Sequence, residues 1–156
     1  FLHAGWAHLL GNMLFLFIFG DNVEDAFGHF KYLAFYLVCG IAASLAQVAL
    51  APGSRVPGVG ASGAISGVLA AYVVMFGNNR VRVILGIFPA VVPAYVMIGL
   101  WIVLQFVYGA VSLGYTQQSG GVAYGAHVGG FLCGLLLTFV LRPAPRRSLR
   151  PYDRRW

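Results

Sequence analysis

A chain of 156 residues that is 60% hydrophobic, only 9% charged and +0.81 in mean hydropathy is not an ordinary soluble domain, where about a quarter of residues carry charge. Its apolar residues come in unbroken runs close to the roughly 20 that cross about 30 Å of hydrocarbon, not in the alternation of a membrane β-barrel. The net charge of +6 gathers in Arg142–Arg155 beside the last apolar run, where arginine sets topology and meets anionic lipid headgroups, so a nucleic-acid partner is not expected.

The first expected span covers about 8–27. His3 and His8 stand at its approach, and Asp21, Asn22, Glu24 and Asp25 bring it to an end. The second runs over 31–51 and is closed by Pro52-Gly53. A turn-rich segment, Ala51-Pro-Gly-Ser-Arg-Val-Pro-Gly58, then feeds Gly60-Ala-Ser62-Gly63 into the third span, 62–77. Pro89 and Pro93 argue against a continuous helix over 83–92, and Pro93 suits the first turn of a fourth span, 93–111. An uncharged loop, Ser112–Ala123, leads to the fifth span, 124–141. The tail, 142–156, is expected to be disordered. Cys39 and Cys133 both fall inside apolar runs and read as packing, not as a disulfide or a metal site.

Basic residues sort clearly between the two sides. With the tail in the cytoplasm, Lys31, Arg80, Arg82 and the tail arginines all lie inside, and only Arg55 lies outside. The chain starts at Phe1 on the outer side, so one further crossing helix is expected upstream. The same topology starts the third and fifth spans at the outer face. Ser62 stands 15 residues before Gly77, and His127 stands 15 residues before Arg142. At about 1.5 Å per residue both lie roughly 22 Å above the inner boundary, a few ångströms below the outer surface.

A serine at a helix start faces unpaired backbone N–H groups and the positive end of the macrodipole, which suits a developing oxyanion. Standing alone, Ser62 reads first as an N-cap, with the neighbouring glycines there for close helix packing. An imidazole inside a span, His127, reads either as a polar packing contact between helices or as a functional group, the second favoured because isolated burial of such a group is costly. Gly130 and Gly134 form a GxxxG pair that draws a neighbouring helix toward the face bearing His127. His8 and Asn12, spaced i, i+4, share a face of the first span near its outer end, where they read either as oxyanion donors or as a helix cap and an interhelical hydrogen bond. Gln105, four residues after Trp101, reads as packing. Asp21, Glu24 and Asp25 lie at the cytoplasmic end and Asp153 in the tail, so a Ser62–His127 pair would work as a dyad without a carboxylate.

Together these residues resemble the rhomboid family of intramembrane serine proteases. The resemblance rests on His8-Leu-Leu-Gly-Asn12, Gly60-Ala-Ser62-Gly63 and Ala126-His127-Val-Gly-Gly130, in the family's second, fourth and sixth helices. Gly20-Asp-Asn-Val-Glu24-Asp-Ala-Phe-Gly28 resembles the turn after that second helix, and His3 matches a histidine of the preceding loop. The family's first helix has no counterpart here, and Ser66 stands where well-known members carry an aromatic residue.

The resemblance implies an all-α, polytopic transmembrane bundle with five of six core spans present and no metal or cofactor. Ser62 would be the nucleophile and His127 the general base and acid. His8, Asn12 and the Ser62 N–H would hold the oxyanion. The loop 112–123 and the start of the fourth span would form a mobile cap. Partners would be transmembrane protein substrates and membrane lipids, and the location a bacterial plasma membrane with the site open to the outer face. The rival reading is an inactive relative that binds transmembrane segments without cleaving them. A transporter is less consistent, since no internal repeat is present.

Overall fold

A computed structural model describes residues 2–53, 58–85, 88–113 and 122–141. The tail 142–156, loop residues 114–121 and Arg55 lie outside them. The described chain is a helical bundle with one small β-hairpin. In order come α1 (Trp6–Phe15), a π-helical turn (Leu16–Gly20), α2 (Asp21–Phe27), α3 (His29–Leu50), α4 (Ser62–Phe76), β1 (Arg80–Leu85), β2 (Phe88–Pro93), α5 (Ala94–Leu113) and α6 (Tyr124–Leu141).

Three of these helices are long and apolar enough to cross a membrane: α3, α5 and α6. Their faces divide sharply. On α3, Leu33, Leu37, Ile41, Leu45 and Val48 are exposed, while Phe35, Cys39 and Ala43 are buried at i, i+4, i+8. On α6, Leu132, Leu136 and Val140 face out, while His127, Gly130, Gly134 and Thr138 face in. Exposed leucine and valine stripes of this kind are what lipid chains solvate, and the chain is an integral membrane protein.

Helix α4 is different. Nine consecutive residues, Ala64–Tyr72, are buried, so neighbours surround it on all sides, as for any helix apolar around its whole circumference. Its 15 residues reach only about 22 Å, short of the ~30 Å hydrocarbon core. Phe19 and Tyr72 meet edge to face at 4.9 Å, and Phe27 meets Phe35 at 5.2 Å, joining the first helical stretch to α4 and α3.

The closest packing is between α4 and α6. A Cβ built on Gly130 would collide with the Gly63 carbonyl, and one on Gly134 with the Gly67 backbone. A Cβ on Gly63 would lie 2.6 Å from Ala43 Cβ, so α3 closes the third side. Lipid offers no hydrophobic drive between helices, and contacts of this closeness are how they associate.

Two features depart from the sequence-based expectation. The first span is not one α-helix: the π turn at Leu16–Gly20 interrupts it, and Asp21, Glu24 and Asp25 lie within α2. The segment around Pro89 forms an antiparallel hairpin, with Ile84 opposite Pro89 and Arg80 opposite Pro93. Prolines fit there because each strand of a two-stranded sheet has a free edge that needs no donor. Pro93 thus closes β2, and α5 starts at Ala94, whose N–H bonds Asn79 O while the Tyr95 N–H bonds Gly77 O.

Adding a methyl at the α4–α6 crossing overpacks it. Gly134→Ala is expected to destabilise the bundle by about 1–3 kcal/mol, measured by equilibrium unfolding in detergent. Gly99→Ala, where a Cβ meets nothing within 4 Å, should stay within about 0.5 kcal/mol of the parent.

Candidate active site

Ser62 is the first residue of α4. The N-cap is Ala61, and no side chain caps the helix, so Ser62 is not the cap that its neighbourhood also suggested. Its hydroxyl is instead engaged across the bundle: Ser62 Oγ lies 2.8 Å from His127 Nε2. His127 sits in the first turn of α6 and is 7% exposed. The crossing of α4 on α6 explains the meeting, because Gly63 adjoins Ser62 and Gly130 follows His127 by less than one turn.

The other ring nitrogen is also occupied. His127 Nδ1 lies 2.8 Å from Gln105 Oε1 on α5. Gln105 therefore does more than the packing role read from the sequence. One turn earlier on α5, the Trp101 ring lies 5.5 Å from the imidazole at 41°. Ser66 is fully buried and turns its hydroxyl back to donate to Ser62 O at 2.7 Å, so it does not compete for His127. The ring contact on His127 thus comes from α5 and not from the position one turn after Ser62.

His8 and Asn12 approach the serine from α1. A Cβ built on Gly60 would lie 2.7 Å from His8 Cε1, 2.9 Å from His8 Nε2 and 3.5 Å from Asn12 Nδ2. Both side chains therefore rest on the backbone two residues before Ser62. Gly60 has φ 113, a conformation that suits glycine, and its missing side chain is what admits them. Asn12 is buried, and its Nδ2 has no hydrogen-bond partner among the described residues. A buried donor without a partner is uncommon and is the form an anion-binding group takes. His3 packs edge-on against His8 at 5.2 Å, beside a cleft of about 220 Å³ lined by His3, Gly5, Trp6 and Leu9.

Other polar groups serve the scaffold. Gln47 Oε1 on α3 accepts from the Ala126 N–H at 3.2 Å, satisfying a donor at the start of α6. Among the described residues no carboxylate is bonded to Ser62 or His127, and Glu24 Oε1 is 2.6 Å from His29 Nδ1 at the α2–α3 junction. No cluster of ligands that could hold a metal occurs among the described residues. The structure thus gathers Ser62, His127, His8 and Asn12 in one place and adds Gln105 and Trp101. The signal for those two lay in the α5 stripe Ala94, Ile98, Trp101, Gln105, which keeps to one helical face.

Comparison with known proteins gives the same family. The Rhomboid domain matches residues 1–144, and the chain belongs to the rhomboid family. Rhomboid-like protein 11, chloroplastic, of Arabidopsis thaliana is 34% identical across 96% of this chain and 52% of its own length. Rhomboid protease GluP of Bacillus subtilis (strain 168) is 42% identical across 51% of this chain and 15% of its own. Rhomboid protease AarA of Providencia stuartii is 42% identical across 47% of this chain and 31% of its own. The chain thus spans about half the length of the first of these relatives and less of the other two. No significant match exists among solved structures.

The rest of His8 and Asn12 on Gly60 predicts the effect of a side chain there. Gly60→Ala should destabilise the protein by about 1–3 kcal/mol through backbone strain and shift the His8 ring resonances in NMR spectra. Unmoved His8 resonances would show that the ring does not lie on this turn.

Proposed function

We propose that this chain is the catalytic membrane core of a serine endopeptidase that hydrolyses peptide bonds in or beside the transmembrane segments of other membrane proteins. The observation that carries the reading is the 2.8 Å contact of Ser62 Oγ with His127 Nε2, between residues 65 apart in the chain. Membership of the rhomboid family supports it, as do two bacterial relatives named as proteases.

In this mechanism Ser62 Oγ attacks the scissile carbonyl carbon while His127 Nε2 takes its proton. The carbonyl oxygen becomes an oxyanion. Asn12 Nδ2, His8 and the Ser62 N–H at the α4 start supply its donors, already in place where the negative charge develops. When the adduct collapses, the C–N bond breaks and His127 hands its proton to the leaving amine. Water, deprotonated by His127, then attacks the Ser62 ester, releasing a carboxylate and restoring the hydroxyl. No step calls for a metal or a cofactor.

Residues 1–141 form the membrane domain in this reading, with 142–156 a basic cytoplasmic tail. The site opens toward the outer face of a bacterial plasma membrane. The support for this orientation is the placement of nine of ten basic residues on one side of the expected spans. Single-span membrane proteins are the substrates and lipids the surrounding partners.

The test uses the full-length protein in proteoliposomes with a single-span substrate. Ser62→Ala and His127→Ala should each abolish cleavage, and fluorophosphonate labelling should require both residues. Asn12→Ala should lower kcat by about 10²–10³-fold. Cleavage that survives Ser62→Ala would reject the dyad, and substrate binding with no cleavage by the parent protein would point to an inactive family member.

A further inference from the structure

Gln105 and Trp101 lie one turn apart on α5, and both side chains meet the His127 ring. A side-chain amide within a membrane span is costly to bury unless hydrogen-bonded. Gln105 is 9% exposed, and its Oε1 makes that bond to His127 Nδ1 at 2.8 Å. An amide oxygen only accepts. The proton is therefore held on Nδ1, and the Nε2 lone pair is left facing the Ser62 hydroxyl. The opposite tautomer would set two acceptors against each other at Nδ1. It would also turn an N–H toward the hydroxyl that must lose its proton.

We propose that Gln105 is the positioning residue of the dyad, fixing the tautomer and direction of His127 in the place where a triad has a carboxylate. The proposal rests on the Ser62–His127 reading and adds a third member to it. The chemistry suits the location. A carboxylate steadies an imidazole through charge, but an ionised group is far more costly to bury than a neutral amide. Glutamine keeps the acceptor and leaves out the charge. Trp101 covers the ring from the same helix, so α5 holds both the plane of the imidazole and its proton. Glu24, with its oxygen on His29, serves a different junction.

The full-length protein in proteoliposomes supplies the test, with Gln105→Met and Gln105→Glu as variants. Methionine keeps the length of the side chain and removes the acceptor. Gln105→Met should lower kcat by about 10- to 10²-fold, within the contribution of a well-placed general base, and leave KM for the single-span substrate unchanged. Fluorophosphonate labelling should slow by the same factor. Gln105→Glu retains an oxygen in the same place and should recover most of the rate, whereas a folding defect would depress both variants.

Nitrogen-15 NMR of histidine-labelled protein in micelles gives an independent readout. His127 in the parent should show a protonated Nδ1 and a bare Nε2, and in Gln105→Met a mixture of tautomers. Parental kcat in Gln105→Met, or an unchanged nitrogen spectrum, would overturn the proposal. A parent protein that neither cleaves nor labels would instead sink the Ser62–His127 reading, with the nitrogen spectra still deciding whether Gln105 holds the proton.

Discussion

The rest of the structure depends on the backbone contact between α4 and α6. Two apolar helices in lipid gain nothing from exchanging lipid for each other, so they associate through close packing and buried polar bonds. Here the approach is so close that Gly63 and Gly67 face Gly130 and Gly134 with no room for a methyl. Ser62 and His127 project from the same turns as these glycines. Their 2.8 Å separation is therefore a property of the helix crossing and not of flexible side chains reaching toward each other. Alanines of α3 complete the clamp: Ala46 Cβ would collide with a Cβ on Gly129, and Ala43 lies against Gly63.

Around this clamp two further helices each contribute two side chains to the surroundings of the serine and its histidine. Helix α1 brings His8 and Asn12 onto the glycine turn, and α5 brings Gln105 and Trp101 onto the imidazole. Because every one of these side chains is on a helix, with only Gly60 supplied by a connection, the geometry is held by rigid elements. The π turn at Leu16–Gly20 belongs to the same arrangement. It adds a residue to one turn and carries the buried Phe19 and Gly20, between the buried Asn12 of α1 and the buried Val23 of α2.

Much of this was legible from residue order, for physical reasons. Blocks of apolar residues announced a membrane-embedded helical bundle, since lipid leaves few other ways to satisfy a backbone. Ser62 and His127 stood out as polar groups at equal depth on parallel helices, and the structure sets them side by side. The hairpin over 80–93 was not legible. Two prolines signalled a break in the helix, but pairing across a turn depends on register, which a short valine-rich run does not announce. Gln105 stands four residues after Trp101, a spacing that by itself reads as packing. What it bonds is set by the rotation of α5 against α6, and no property of α5 alone carries that information. The π turn was equally hidden, because Leu-Phe-Ile-Phe-Gly suits an ordinary α-helix.

The brevity of α4 has a consequence for how this protein responds to its host bilayer. Thickness acts on the stripes of leucine and valine that lipid chains touch, and it is accommodated by tilt or local deformation of the sheet of lipid. Helix α4 has protein on every side from Ala64 to Tyr72, so lipid cannot pull on it directly. Hydrophobic mismatch then falls on the periphery while the central rod keeps its length.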